Sequence, residues 1–187
     1  RIMDIFFSLI GLVVYSPVIL ISVIWIFLED GKPILFKQQR VGKNEKIFEI
    51  VKLRSLRNTK IDVSNPNKDI EQRALKIGKF IRKTRIDEST QFWLILKGDM
   101  SLVGPRPEMV EYHEMMKPHI PYYTYRLLIK PGLTGWAQIN YKHSSTLEEY
   151  KIKTEYDLYY VKNRNFFFDL KIILQTLESV IFKSGAR

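Results

Sequence analysis

Asp87 and Glu88 stand side by side, and shortly after them comes the run Lys97-Gly98-Asp99-Met100-Ser101-Leu102-Val103-Gly104-Pro105-Arg106-Pro107. The two prolines stiffen the backbone on both sides of Arg106, so its guanidinium is presented on a rigid turn suited to clamping a phosphate. Two neighbouring acids can divide the work of nucleophile and metal ligand. On a helix their side chains point about 100° apart, so one can face a phosphorus while the other holds Mg2+. Adjacent acids also occur at helix starts, where they only complement the helix dipole. The context shifts the balance toward chemistry. Arg82, Lys83 and Arg85 precede the pair, and the apolar Phe92-Trp93-Leu94-Ile95-Leu96 follows it.

Other candidates stand further off. Lys52 and Arg54 are two residues apart, hence on one face of a strand, where they suit either a phosphate contact or a solvated surface. Asp157 sits in a tyrosine-rich helical segment as a second metal or substrate ligand, or as a surface acid. His113, His119 and His143 are scattered without metal-ligand spacing. The chain has neither a P-loop nor a Gly-x-Gly-x-x-Gly run.

These residues need elements to hold them. Partial alternation predicts a hairpin over 34–54 with its turn at Gly42-Lys43-Asn44. The polar stretch 57–69 reads as a loop. A helix is expected over 70–83, broken or ended near Gly78. Thr84 is then placed to cap a helix from Arg85 to Leu96, which Gly98 stops. Residues 108–128, rich in Met and Tyr and interrupted at Pro118 and Pro121, suit either a core helix or a shallow interfacial one. Lys130–Trp136 reads as a turn followed by a short strand. Helices follow over 146–162 and 166–182. The last opens on Phe166-Phe167-Phe168 and carries Leu170, Ile173, Leu174, Leu177 and Ile181 at core-packing spacing. The sum is an α+β fold, mainly helical, with a small β-hairpin or sheet and amphipathic interfacial helices.

Residues 5–28 carry no charge, a run of 24. As a helix it measures about 36 Å, enough to cross a bilayer core. It is too long for a signal peptide and lacks a small-residue cleavage site. Ser16-Pro17 lies mid-run, where proline removes a backbone hydrogen bond and kinks a helix, and Ser16 can bond back to a freed carbonyl. Two arms of about 18 Å would each be too short to cross. A spanning helix and a re-entrant one that returns to the same face therefore both stand. The chain divides into this membrane segment, 1–30, and one structural unit, 31–187.

At 187 residues there is enough chain for one domain with a real core. The absence of cysteine excludes a disulfide framework, thiolate metal ligands and a thiol nucleophile. Net charge is +10, and residues 31–187 hold 29 bases against 17 acids. Such a surface seeks anions: nucleic acid, acidic lipid or a phosphorylated substrate. It also places that unit on the cytoplasmic side of a membrane. The chain opens on Arg1, as expected of a piece of a larger protein.

Seven ordered blocks carry a resemblance. They are Arg1-x-x-Asp4 with the apolar run through Ser16-Pro17; Phe36-x-Gln38-x-Arg40-x-Gly42; Lys52-Leu53-Arg54-Ser55; Arg82-Lys83-Thr84-Arg85-Ile86-Asp87-Glu88; Gly98 through Pro107; Pro131-Gly132-Leu133-Thr134-Gly135-Trp136-Ala137-Gln138; and Tyr156-Asp157-Leu158-Tyr159-Tyr160-Val161. Over nearly its whole length the chain resembles the bacterial sugar transferases, the monotopic phosphoglycosyl transferases. The Trp136 block resembles the larger members of that family.

The resemblance implies a catalytic domain at the cytoplasmic face of the bacterial inner membrane, seated by a re-entrant helix bent at Ser16-Pro17. It implies transfer of a sugar-1-phosphate from a UDP-sugar to a polyprenyl phosphate, usually undecaprenyl phosphate, initiating glycoconjugate or exopolysaccharide synthesis. Asp87 would be the nucleophile and Glu88 the Mg2+ ligand. Arg106, Lys52, Arg54 and Asp157 would lie around the phosphates. The partners would be those two substrates and anionic membrane lipid, not nucleic acid. Ser89-Thr90 replace the Leu-Pro that often follows the acids, which removes a proline from the turn. The alternative is a non-enzymatic membrane anchor whose basic domain binds acidic lipid or nucleic acid.

Overall fold

The computed structural model describes residues 1–57, 71–141 and 146–182. His143 and nearly all of the loop expected over 57–69 lie outside the described residues. As expected, helices dominate and the strands are few and short. The chain opens with helix α1 (Ile2–Asp30), followed by the antiparallel hairpin of β1 (Leu35–Val41) and β2 (Ile47–Leu53). Helix α2 (Lys76–Lys83), a 3-10 turn (Ile86–Glu88) and α3 (Gln91–Lys97) come next. Then follow β3 (Ser101–Val103), α4 (Val110–Met116), a 3-10 turn (Tyr123–Leu127), β4 (Gly132–Thr134), α5 (Trp136–Asn140), α6 (Leu147–Asn163) and α7 (Phe166–Phe182).

Three local expectations are corrected. The helical stretch expected over 70–83 is broken, but at Ala74-Leu75 and not at Gly78. Gly78 sits inside α2 where a Cβ would lie 2.1 Å from the Ser55 carbonyl oxygen, so the close packing of helix on chain requires glycine. Thr84 does not start a helix. Its hydroxyl donates to the Phe80 carbonyl at 2.7 Å and closes α2. Arg85 then takes a left-handed φ of 57°, which splits the expected 85–96 helix into the 3-10 turn and α3. Gly98 ends α3 as expected, in the left-handed conformation at φ 101°. The third correction concerns α7. Ile173 packs against the core as expected, but Leu174 and Leu177 are exposed, while Ile172 is buried and Thr176 bonds Thr134 at 2.6 Å, so the packed face is turned from the one expected.

One core gathers Ile50 of β2, Leu94 and Ile95 of α3, Leu102 and Val103 of β3, and Ile172 of α7. A second forms where Ile26 of α1 meets Leu53, Leu75, Ile77, Ile81 and Ile86. The parallel pair β3–β4 brings the two glycine blocks together. A Cβ on Gly132 would lie 2.1 Å from the Gly104 nitrogen, so no larger residue fits that approach.

Helix α1 lies along this body rather than apart from it. Near its start, Asp4 accepts from the Leu102 N–H at 2.9 Å and the Ser101 hydroxyl at 2.8 Å. In its first half Gly11 packs on the Phe92 ring, and Tyr15 meets the same ring at 6.0 Å. At its end Glu29 accepts from the Lys76 and Ile77 N–H groups that open α2, at 2.7 and 3.2 Å. Pro17 lies within the helix. The Ser16 hydroxyl bonds the Val13 carbonyl at 2.8 Å, the acceptor that a residue-17 N–H would otherwise serve. The helix is long and apolar enough to cross a membrane, and most of it is not buried against the body.

Candidate active site

Four of the expected site residues meet. Lys52 reaches from β2, Glu88 ends the 3-10 turn, and Arg106 comes from the segment after β3. Lys52 Nζ lies 2.7 Å and Arg106 Nη2 3.0 Å from the same oxygen, Glu88 Oε1. Asp87 is the neighbouring side chain, half-buried, and no ion pair closes on it among the described residues. The two acids are therefore chemically distinct. Burial works against the charged form of Glu88, but Arg106 and Lys52 outweigh it and hold the carboxyl at about 2. Burial, then the charge of Glu88, raises Asp87 above the ordinary aspartate range, with Lys52 opposing. One carboxylate is locked in the ionised state by cations. The other is unpaired, partly desolvated and more basic, as suits a nucleophile.

The turn that presents them is latched to β2. Thr90 Oγ1 donates to the Val51 carbonyl at 2.6 Å, next to Lys52, and buried Ser89 Oγ donates to the Ile86 carbonyl at 2.6 Å. Proline at residue 90 could make no such bond. The departure from Leu-Pro therefore replaces ring rigidity with a side-chain hydrogen bond.

Two expected members lie elsewhere. Leu53 ends β2, so Arg54 leaves the face that carries Lys52. Arg54 pairs with the Asp30 carboxylate at 2.8 Å and bonds the Asp30 and Gly31 carbonyls at 3.0 and 2.9 Å. It holds the end of α1. Asp157 is buried against Arg126, whose Nε and Nη2 donate to Asp157 Oδ2 at 2.9 and 2.7 Å. Arg126 drew no attention in the sequence, and Thr90 did so only as the residue that stands in place of a proline. The available signal for Arg126 was a lone charge within the apolar, aromatic stretch 122–129.

The acids suit Mg2+ in a limited way. Both cations bind Oε1 of Glu88, so Oε2 and the Asp87 carboxylate remain as hard oxygen donors. No cluster of three metal-ligating side chains exists among the described residues. One or two carboxylates fit magnesium that arrives with a diphosphate, since that ion completes its shell with phosphate oxygens and water.

Residues 1–183 match the family described as bacterial sugar transferase. The chain belongs to that family. Among its relatives, the UDP-N-acetylgalactosamine-undecaprenyl-phosphate N-acetylgalactosaminephosphotransferase of Aeromonas hydrophila is 39% identical over 186 residues, 99% of this chain and 44% of that protein. The uncharacterized sugar transferase EpsL of Bacillus subtilis is 38% identical over 189 residues, 99% of this chain and 88% of that protein. The UDP-glucose:undecaprenyl-phosphate glucose-1-phosphate transferase of Escherichia coli is 36% identical over 179 residues, 93% and 38%. The chain thus spans less than half the length of the Aeromonas and Escherichia relatives. In this bacterial sugar transferase the Lys52–Glu88–Arg106 cluster brings three of the resemblance blocks to one place.

Proposed function

We propose that the protein transfers a sugar-1-phosphate from a UDP-sugar to undecaprenyl phosphate at the cytoplasmic face of the bacterial inner membrane. The observation that carries the reading is the asymmetric carboxylate pair: Glu88 held by Lys52 and Arg106, Asp87 unpaired beside it. The named relatives with this chemistry support the substrate classes.

In the first step an Asp87 oxygen attacks the sugar-bearing phosphorus. An O–P bond forms, the bond to the bridging oxygen breaks, and UMP leaves with that oxygen and its electron pair. The intermediate is an acyl phosphate, the sugar phosphate joined to the Asp87 carboxylate as a mixed anhydride. In the second step an oxygen of the lipid phosphate attacks the same phosphorus, the aspartyl–phosphorus bond breaks, and the carboxylate returns. The product is a diphosphate-linked sugar lipid. Lys52 and Arg106 lie where charge builds on the phosphoryl oxygens. Mg2+, held by Glu88, would supply further charge neutralisation to the diphosphate when bound. An acceptor shared with the bilayer requires the site to sit at headgroup level.

A re-entrant seat for α1 is part of the proposal. It is supported by the docking of Asp4 and Glu29, near opposite ends of the helix, on the same body. Pro17 lies midway along α1, which runs as one continuous helix from Ile2 to Asp30. A purely non-enzymatic anchor leaves the paired cations on Glu88 without a purpose.

The deciding experiment gives purified protein a panel of UDP-sugars with Mg2+ and no lipid acceptor. A burst of about one UMP per enzyme, with radiolabelled sugar phosphate left on the chain, supports the two-step path. Absence of UMP release across the panel, even with undecaprenyl phosphate added, ends the reading.

A further inference from the structure

The turn that carries Arg106 belongs to no helix or strand, and two of its residues are prolines without an N–H. Its backbone is held largely through carbonyl groups, and the four from Pro105 to Glu108 are all bonded. The Pro105 carbonyl accepts from the Gly132 N–H at 2.9 Å, and the Glu108 carbonyl accepts from the Val41 N–H at 3.0 Å. The Pro107 carbonyl accepts from Arg40 Nη1 at 3.2 Å. The Arg106 carbonyl accepts from Arg126 Nη2 at 2.9 Å. Four consecutive acceptors are thus taken by donors from β4, the 125 region and β1.

The Arg126 bond differs from the others in what it requires. A guanidinium is fully buried to make it, with 1% of the side chain exposed, and burying an unpaired charge is costly. Asp157, itself 1% exposed, is its counterion, and Glu108 approaches at 3.8 Å. The arrangement directs one arm of the fork to Asp157 and lets the same Nη2 serve the backbone of Arg106. Lysine, with a single nitrogen, lacks that fork.

Resting on the reading above, we infer that Arg126 is a positioning residue for Arg106, and that Asp157 serves the reaction as the counterion of Arg126 rather than as a ligand of substrate or metal. Arg126 sets the direction of the Arg106 side chain by fixing the peptide from which it springs. It touches no reacting atom.

A double-mutant cycle tests this. Single-turnover UMP release is measured for the parent, Arg126→Lys, Arg106→Ala and the double variant. Arg126→Lys slows the parent reaction about tenfold or more, yet slows the Arg106→Ala protein less than twofold, because nothing remains to be aimed. Equal fold losses in both backgrounds overturn the inference. Melting curves screen each variant. Where Arg126→Lys does not fold, Asp157→Asn carries the same cycle, and failure of both to fold assigns the pair to stability alone and overturns it too. A readout independent of turnover is the guanidinium N–H signal of Arg106 in the NMR spectrum, identified by its loss in Arg106→Lys. It broadens or shifts in Arg126→Lys under the inference and stays unchanged if the inference is wrong. A parent that releases no UMP counts against the proposed reaction, while the NMR result still decides the role of Arg126.

Discussion

Lys52 Nζ stands 2.7 Å from Glu88 Oε1, across 36 positions of sequence, and both side chains are mostly buried. With Arg106 on the same oxygen, this pair holds Glu88 at about 2, against an ordinary value of 4.5. A carboxylate depressed by folding stabilises the fold above its unfolded pKa and loses that contribution as pH falls through its folded one. The window is therefore pH 4.5 down to about 2. The stabilisation at stake is on the order of 3 kcal/mol. Chemical unfolding at pH 3 to 6 should show the parent losing stability more steeply than Glu88→Gln. Parallel curves would refute the assignment. In assays, Glu88→Gln should lower the rate and the magnesium dependence together.

Asp87→Asn keeps the shape of the turn and removes the nucleophile. Donor turnover should drop by about a thousandfold or more, with the melting temperature little changed. Substantial remaining activity would place the nucleophile elsewhere.

The acid side of the pH–rate profile should belong to Asp87. Burial and the Glu88 charge raise its carboxyl, so it protonates while Glu88 is still ionised. The rate of UMP release should therefore fall at a pH above the ordinary aspartate value of 3.8. In Glu88→Gln, which removes the neighbouring charge, the limb should move to lower pH. A limb that does not move would show that another group sets it.

Thr90 supplies the latch that the missing proline does not. Thr90→Val should cost about 1 kcal/mol of stability and reduce turnover, while Thr90→Ser should retain both. Equal behaviour of the two variants in melting and in UMP release would mean that the bond to Val51 carries no weight.

The absence of native cysteine makes the topology of α1 directly testable. Single cysteines at Ile2 and Leu28, both exposed, should react with a membrane-impermeant reagent from the same side of sealed vesicles. Labelling from opposite sides would establish a spanning helix.

Much of the architecture was legible in local pattern. The uncharged run, the hairpin, the two long C-terminal helices and the stop at Gly98 each depend on spacing or on a single residue's backbone freedom, and these are properties of neighbouring residues. Errors fell where a remote partner outweighed a local preference. Gly78 looked like a breaker but is required by the Ser55 carbonyl. Thr84 looked like a helix start but bonds backward to Phe80. Leu174 and Leu177 were spaced for a core that lies on the adjacent face.

The chemical residues divide in the same way. Residue type, adjacency and local context marked Asp87, Glu88 and Arg106: acid pairs also occur at plain helix starts, but this one lies between a basic cluster and an apolar stretch, ahead of a proline-flanked guanidinium. Which acid is held low and which is raised was decided only in three dimensions, by burial and by the arrival of Lys52 and Arg106 on one oxygen of Glu88. Arg54 and Asp157 were credible phosphate contacts by type, but folding assigned one to the end of α1 and the other to Arg126. Charge is written in the sequence; its partner is set by burial and distance, which depend on where the rest of the chain packs.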